Sequence, residues 1–380
     1  MLDDETLRDG LQSPSVRSPS IEQKKRILHL MSELGIDTAD LGLPGAGPHV
    51  VEHVEALARE IVAAKLPISA NCASRTVISD IVPIVEVAQR TGLAIEACTF
   101  IGSSPIRRYA EDWTIDRLQR LTEEAVAFAV KSGMRCMFVT EDTTRADPDS
   151  LRALYSTAIR AGASRICIAD TVGHATPAGA RAVVRFVQSI VDECGGGVGI
   201  DWHGHRDRDL AVENSLAAMS AGATRLHGAA IGIGERVGNT PMDALLVNLV
   251  LMGQRTSELS RLPEYCALVS EATGVPIPAN YPVVGRDAYR TATGVHAAAV
   301  IKAYKKKDPA LADAVYSGVP ASMVGRTQGI EIGPMSGKSN VVYWLEQRGL
   351  DATDERVDRI FAKAKSASGV LDEDEVRKLL

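Results

Sequence analysis

Short apolar runs recur along the first two thirds of the chain, each followed by a segment whose apolar residues return every three or four positions. The first pattern is typical of buried strands and the second of amphipathic helices. Seven apolar runs stand out, and the short segment before Arg8 makes an eighth candidate strand. The seven runs are Asp37–Leu43, Pro67–Asn71, Ala94–Phe100, Arg135–Thr140, Ser164–Ala169, Val198–Trp202 and Arg225–Ile231.

Strands that alternate with helices form parallel β-α-β units, and eight such units close into a barrel. The helical segments between the runs include Ile21–Leu34, Val50–Ala64, Ile115–Lys131, Ser150–Ala161, Pro177–Cys194 and Leu210–Ala221. Gly133, Gly162 and Gly222 stand at the ends of helical segments, where glycine supplies a left-handed cap. We therefore predict an α/β fold, a (β/α)8 TIM barrel, over residues 1–256.

The pattern changes after about residue 256. Prolines between Val275 and Val283 require an extended or turning chain. An apolar helix is expected around Ala297–Tyr304, and amphipathic segments continue to the end. We predict that residues 257–380 form a small, mostly helical accessory region.

Length, charge and composition exclude several classes of function. The 380 residues suit a barrel of ~250 residues with an appendage of roughly 100. A net charge of -6 argues against nucleic-acid binding. No apolar run approaches the ~18 residues that span a bilayer, and the opening residues lack a signal pattern, so we expect a cytoplasmic protein without membrane contact. The six cysteines form no CxxC pair and are expected to be reduced thiols.

Polar residues stand at the ends of the predicted strands. Because the site of a TIM barrel forms at the carboxyl ends of its strands, these residues predict one shared pocket. They are Arg8 and Asp9, Asn71, Thr99, Glu141 and Asp142, Asp170 and Thr171, and His203 and His205.

His203 and His205 lie two positions apart, which places both side chains on one face of a strand. Asp9, after strand one, comes within reach across the barrel mouth. Two histidines and a carboxylate leave coordination positions open for a bidentate ligand such as a 2-oxo acid, on zinc, manganese or magnesium. Arg8 would place a cation where negative charge develops. Glu141 would hold Arg8 or help move a proton.

A glycine-rich loop, Gly232–Asn239, follows strand eight and lets the backbone approach a ligand closely. It is not a dinucleotide fingerprint, because Val237 takes the place of the third glycine. Ser336–Ser339 is not a P-loop either, because Ile332 takes the place of the required first glycine.

Together these segments resemble the acyl-CoA-condensing TIM-barrel enzymes, namely the 2-isopropylmalate, citramalate and homocitrate synthases. The similarity runs in consistent order from residue 4 to about residue 340. The matching segments are Asp4–Pro14, Phe138–Arg145, Ala169–Pro177, His203–Asp207, Gly232–Asn239, Gly294–His296, Tyr316 and Val324–Arg326.

The resemblance implies a role for each matching residue. Asp9, His203 and His205 would bind a divalent metal (Mn²⁺, Mg²⁺ or Zn²⁺), with Asn239 in or beside the same set. Arg8 would polarise the keto oxygen, with Glu141 nearby. The residues expected to contact substrate are Gln12, Thr171, Gly234, Glu235 and Arg236.

The implied reaction is a Claisen-type condensation in which acetyl-CoA, the co-substrate, adds to a 2-oxo acid and CoA is released. In the family, an accessory histidine and tyrosine reach the active site of the other subunit. His296 and Tyr316 would therefore be catalytic residues that act across a homodimer with exchanged accessory regions.

Five positions depart from the synthase pattern: Leu11, Cys98, Arg107, Met137 and Arg206. They leave the 2-oxo acid open among the 2-isopropylmalate, homocitrate and citramalate reactions. Leu11 also fits a carbon–carbon lyase like hydroxymethylglutaryl-CoA lyase, but residues 228–239 lack the cysteine that those lyases use. A paralogue that only binds a metal or metabolite is the third alternative, and the retained site residues argue against it.

Overall fold

The computed structural model describes all 380 residues and contains a closed barrel of eight parallel strands. Each strand pairs with the next along the chain, and β1 pairs with β8 to close the barrel. The strands are β1 (Leu2–Asp4), β2 (Thr38–Asp40), β3 (Ser69–Arg75), β4 (Ile95–Gly102), β5 (Cys136–Glu141), β6 (Arg165–Asp170), β7 (Gly199–Gly204) and β8 (Arg225–Gly228). The predicted TIM barrel is therefore confirmed.

Helices connect the strands, and each of the longer ones buries one face. In the first helix Ile27, Leu30 and Met31 are fully buried, while Ser20 and Gln23 cap its start reciprocally. These helices are α1 (Ile21–Glu33), α2 (Pro48–Ala64), α3 (Ile78–Thr91), α4 (Pro105–Ala110), α5 (Ile115–Lys131), α6 (Pro148–Arg160), α7 (Pro177–Glu193), α8 (Ala211–Ser220) and α9 (Met242–Leu251).

Strand β3 extends beyond the run that we predicted, since it continues to Arg75 instead of ending at Asn71. The Asn71 amide donates a hydrogen bond of 2.6 Å to Asp3 Oδ2. Because β1 and β3 are not neighbours, this contact runs through the barrel interior. Placing Asn71 at the strand end was wrong, because a polar side chain that faces an ionic interior interrupts an apolar run just as a strand end does.

Ionic side chains fill the barrel interior below its mouth. Arg225 on β8 reaches across the barrel to Glu96 on β4, 2.6 Å away, and also pairs with Asp201 on the neighbouring strand β7 at 2.5 Å. Arg165 on β6 pairs with the same aspartate at 2.5 Å. Because buried charges are tolerated only when they are paired, these contacts are needed for the barrel to close over its charged interior.

Close contacts divide the chain into two compact units. The first comprises Met1–Ser257 and Glu264–Pro276, so it includes most of helix α10 (Leu262–Thr273). The second comprises Glu258–Pro263 and Ile277–Leu380 and is mostly helical, as expected. Its elements are β9 (Arg290–Thr291), α11 (Gly294–Lys305), α12 (Pro309–Ala314), β10 (Gly329–Ile330), α13 (Lys338–Glu346), α14 (Asp354–Ser366) and α15 (Glu373–Arg377).

The second unit has an apolar core of its own, in which Val341, Leu345 and Ile360 are completely buried. No helix anywhere in the chain combines the length and the apolar character that a membrane crossing needs. The domain boundary that we placed between residues 256 and 257 stays a prediction.

Candidate active site

A cavity of about 260 Å³ opens at the carboxyl ends of the barrel strands. Its two sides differ in chemistry. The polar wall comes from β7, β8 and the turn after β1, and consists of Glu5, Arg8, Asp9, His203, His205 and His227. The apolar wall comes from β4, β5 and β6, and consists of Cys98, Phe100, Met137, Val139, Cys167 and Ala169.

The structure brings the three predicted metal ligands together. Asp9 opens a 3₁₀ turn shortly after β1, His203 lies in β7, and His205 follows that strand. The two Nε2 atoms are 3.2 Å apart, and Asp9 Oδ2 lies 3.8 Å from that of His203 and 4.0 Å from that of His205. This triangle of two imidazole nitrogens and a carboxylate oxygen suits ligands that surround one divalent cation.

A buried oxygen and the charge states of the ligands support that fit. Asn239 Oδ1, on the amide group that binds Asp9, is buried without a hydrogen-bond partner. Burial, with the neighbouring His203 ring, lowers the pKa of His205 to about 4, so this imidazole is neutral and able to bind a metal near neutral pH. Although burial opposes ionisation of Asp9, the positive charge of Arg8 holds the pKa of that carboxyl below its usual value. The donor set therefore fits a divalent cation.

The loop after β8 packs against these ligands. Asn239 Nδ2 donates to Asp9 Oδ1 at 2.9 Å and to Ile233 O at 3.0 Å, which fixes the carboxylate from behind. A Cβ added at Gly234 would lie 2.2 Å from Asn239 Nδ2 and 3.1 Å from Asp9 Oδ1. Glycine is therefore needed at position 234 for this approach.

Arg8 is held by carboxylates on three sides. Its Nε donates to Asp40 Oδ2 at 3.0 Å, Nη1 donates to Asp9 Oδ2 at 2.9 Å, and Nη2 donates to Glu5. Burial opposes its charge, but these carboxylates raise the pKa of Arg8 well above its ordinary value. A fixed cation thus lines the cavity directly beside Asp9.

Glu141 is the last residue of β5 and keeps about 32% of its side chain exposed. Its carboxylate faces Arg107, whose Nε is 4.0 Å away, whereas Arg8 pairs with the three carboxylates named above. Burial raises the pKa of Glu141 above its ordinary value, against the opposing charges of Arg107 and Arg8. A carboxyl of this kind can exchange protons at the cavity rim.

The predicted substrate contacts gather at the same mouth. Gln12, Thr171, Glu235 and Arg236 all line the cavity. Arg236 binds Asp207 through two nitrogens, at 2.9 and 2.8 Å, and donates to Thr171 O at 2.5 Å. These bonds tie the loops after β6, β7 and β8 together, which gives the cavity a firm rim.

His296 and Tyr316 belong to the second unit, where the structure places them against each other. Their ring centroids are 4.2 Å apart at an angle of 31°, and both side chains are exposed. Their action across a dimer stays a prediction.

Sequence reasoning missed Glu5, Asp40 and His227, which also line the cavity. His227 lies between two carboxylates, with Nδ1 2.8 Å from Glu5 Oε1 and Nε2 2.9 Å from Asp201 Oδ2. Burial opposes its charge, but the surrounding carboxylates raise the pKa of His227 to about 10. Alternation could have revealed it, because Arg225 and His227 are two positions apart on β8.

A family model described as HMGL-like matches residues 1–269. The probable 2-isopropylmalate synthase of Methanopyrus kandleri is 32% identical over 365 residues, covering 95% of this chain and 68% of that protein. The homocitrate synthase of Sulfolobus acidocaldarius is 33% identical over 375 residues, covering 97% of this chain and 75% of that protein. The crystal structure of the HMG-CoA lyase from Brucella melitensis superposes with a TM-score of 0.59 at 16% identity, covering 71% of this chain and 97% of that one, and shares the fold.

Proposed function

The chain belongs to the HMGL-like family, and from that premise we propose that it condenses acetyl-CoA with a 2-oxo acid and releases CoA. The relatives named 2-isopropylmalate synthase and homocitrate synthase, which match nearly the whole chain, support an acyltransferase of this class. Among these reactions we propose the 2-isopropylmalate type, in which the 2-oxo acid has an apolar side chain.

The observation that carries the proposal is the set of Asp9, His203 and His205 beside the fixed cation Arg8 in one cavity. A divalent metal held by the three ligands would act as a Lewis acid and template for the keto and carboxylate oxygens of the substrate. Arg8 lines the same cavity and would donate a hydrogen bond to the keto oxygen as negative charge develops there.

Glu141 supplies the proton chemistry in this proposal. As a carboxylate at the cavity rim, it would accept a proton from the acetyl methyl group of acetyl-CoA, directly or through His296 of the partner subunit. The resulting enolate carbon forms a bond to the keto carbon as the C=O π bond breaks, and the alkoxide takes up the proton that Glu141 accepted, which gives a hydroxyl. Water then cleaves the thioester, which gives a 2-substituted malate and the free thiol of CoA.

The apolar wall supports the choice of substrate. Cys98, Met137 and Cys167 pack together there with Val139, and none of them carries a charge. Burial raises the pKa of the Cys98 and Cys167 thiols well above the ordinary value of a cysteine, so both thiols stay neutral. A branched aliphatic side chain matches this surface. The cation nearest to it, Arg225, donates to Met137 Sδ at 3.2 Å but is already paired with Glu96 and Asp201, so the distal carboxylate of 2-oxoglutarate would find no unpaired cation there.

The same thiols bear on the lyase alternative that Leu11 raised. Lyases of the hydroxymethylglutaryl-CoA type use a cysteine in the loop after strand eight. Residues 229–239 contain no cysteine here, and the cavity thiols belong to Cys98 and Cys167, on strands at the apolar wall. This arrangement favours condensation over cleavage.

We also propose that the protein is a cytoplasmic homodimer in which His296 and Tyr316 complete the partner subunit's site. Their adjacent, exposed rings are available for such a contact. Equilibrium sedimentation, together with complementation between an Arg8→Ala chain and a His296→Ala chain, would test this. Mixed dimers would regain activity only if the accessory residues act across the dimer.

The experiment that tests the function is a thiol-release assay with acetyl-CoA, Mn²⁺ or Mg²⁺, and a panel of 2-oxo acids. The panel contains 2-oxoisovalerate, pyruvate, 2-oxoglutarate, oxaloacetate and glyoxylate. We expect CoA release that depends on 2-oxoisovalerate, stops with a chelator and returns with added metal. Release with 2-oxoglutarate alone would favour the homocitrate reaction. Cleavage of hydroxymethylglutaryl-CoA without any condensation would overturn the proposal.

A further inference from the structure

The two histidines of the proposed metal site differ in what lies behind them. His203 Nδ1 is 3.5 Å from Glu5 Oε1, whereas His205 Nδ1 is buried and has no hydrogen-bond partner. A metal-binding histidine is usually oriented by a group that accepts a hydrogen bond from its other ring nitrogen. Only His203 has a carboxylate in that position.

Glu5 makes three contacts from one buried carboxylate. Oε2 accepts from Arg8 Nη2, while Oε1 faces both His203 Nδ1 and His227 Nδ1. Only 2% of the residue is exposed, so these side chains satisfy the carboxylate in place of water. The same side chain therefore touches the cation of the cavity and one predicted metal ligand.

His227 holds this carboxylate in place. Its two ring nitrogens lie 2.8 Å from Glu5 and 2.9 Å from Asp201, and Asp201 also pairs with Arg225 at 2.5 Å. An imidazole can donate to two carboxylates only when both nitrogens carry hydrogen. The ring thus links Glu5 to the ionic network inside the barrel.

We propose that Glu5, held by His227, is a positioning residue that orients the ligand His203 and the cation Arg8 together. The inference rests on the proposed metal site. By accepting the hydrogen of His203 Nδ1, Glu5 leaves the lone pair of Nε2 directed at the metal and makes the ring a stronger ligand. By binding Arg8 Nη2, it fixes where that cation meets the substrate.

The test measures Mn²⁺ alone, without substrate, on the purified full-length chain. Equilibrium dialysis, or the electron paramagnetic resonance signal of free Mn²⁺, gives the dissociation constant. We expect Glu5→Gln to raise it about 10- to 100-fold, the usual effect of removing a group that orients a ligand. Melting temperatures measured without metal report whether each variant folds.

Asp40→Asn is the matched control, because Asp40 is a buried carboxylate that binds Arg8 but is not a hydrogen-bond or ion-pair partner of His203. We expect it to change kcat while the Mn²⁺ dissociation constant stays within about threefold of wild type. His227→Asn, which keeps a donor near the position of Nδ1, should bind Mn²⁺ more tightly than His227→Leu. Glu5→Asp, which keeps the charge but retracts the carboxylate, should weaken Mn²⁺ binding even if Glu5→Gln fails to fold.

The outcomes separate this inference from the proposed function. If the wild-type chain binds no Mn²⁺, or binds it equally well after His203→Ala, the metal site itself is wrong. If the wild type binds Mn²⁺ through His203 but folded Glu5→Gln and Glu5→Asp variants bind it equally well, only the positioning role is overturned. A parallel loss in Asp40→Asn would show a general effect of buried charge and would also overturn it.

Discussion

The polar and apolar walls of the cavity are built by different means. On the polar wall most functional side chains have a partner of fixed direction, such as Asn239 behind Asp9 or Glu5 behind His203, and His205 Nδ1 is the exception. On the apolar wall the side chains contribute mainly volume and shape, and the one directional contact of Met137, from Arg225 to its sulfur, comes from the barrel interior. The difference implies that the chemistry of the site is rigidly set, while the choice of 2-oxo acid can change by altering side-chain size.

The largest expected effect comes from breaking the polar wall at its centre. In His203→Ala one of three metal ligands is lost, and we expect kcat/KM for CoA release to fall at least ~1000-fold, which corresponds to ~4 kcal/mol of transition-state stabilisation. Steady-state thiol release at saturating Mn²⁺ measures it. His49→Ala on α2, where no contact with the cavity exists, is the control and should retain wild-type activity. Activity within tenfold of wild type in His203→Ala would remove the metal assignment.

A smaller loss is expected at the rim between the two walls. Glu141→Gln should lower kcat about 100-fold, within the range of general acid–base catalysis. Because burial raises the pKa of Glu141 and the base must be ionised, wild-type kcat should increase as pH rises through that raised pKa. The variant should lose this acid limb. A pH–rate profile at saturating metal and substrates measures both effects, and an unchanged profile would assign the proton transfer elsewhere.

Substitutions on the apolar wall should change which 2-oxo acid the protein prefers and should leave the catalytic groups unaffected. Met137→Ala enlarges the cavity, so kcat/KM for 2-oxoisovalerate should fall about tenfold relative to a longer aliphatic 2-oxo acid, since a methylene in such a pocket contributes ~1–3 kcal/mol. Met134→Ala is the matched control, because Met134 is buried but does not line the cavity. Both changes should destabilise the fold, yet only the first should alter the ratio. If the ratio of kcat/KM for the two 2-oxo acids were the same in both variants, Met137 would not be part of the wall that contacts the substrate side chain.

The smallest effect on activity is expected behind the polar wall, at Asp4. Burial raises the pKa of this carboxyl to about 7, although Thr6 and Tyr265 bind it, the latter at 2.5 Å. The unfolded chain would titrate near ~3.9, so the folded form binds the extra proton and the free energy of unfolding should decrease as pH rises from about 4 to 7. Asp4→Asn should flatten that slope in urea titrations and leave kcat unchanged. If the free energy of unfolding of Asp4→Asn still decreased over this pH range, a group other than Asp4 would be responsible for the pH dependence.

Much of this architecture could be predicted from the sequence, because the alternation of apolar runs with helical periodicity determines a parallel barrel. The family resemblance and the TIM barrel are both confirmed. The ligand set Asp9, His203 and His205 could be proposed because each follows or ends a strand, and the ends of barrel strands converge.

The interior of the barrel could not be predicted in the same way. Glu5 and His227 are 222 residues apart, and only strand order and stagger bring them to 2.8 Å. Asn71 misled the strand assignment because its partner Asp3 is also remote in sequence, 68 residues away. Alternation was nevertheless visible. Polar residues repeat every second position on, or directly after, three neighbouring strands, namely Asp3 and Glu5, Asp201 and His203, and Arg225 and His227.

Strand β1 has only three residues, yet the turn after it supplies Glu5, Arg8 and Asp9. It is held between β2 and β8, so its pairing is complete only after the last strand has arrived. Contacts so distant in sequence form slowly and late in folding. A cation that binds only the closed barrel would then shift the folding equilibrium toward that state by mass action. The metal would act as an assembly factor for the first strand as well as a participant in the reaction.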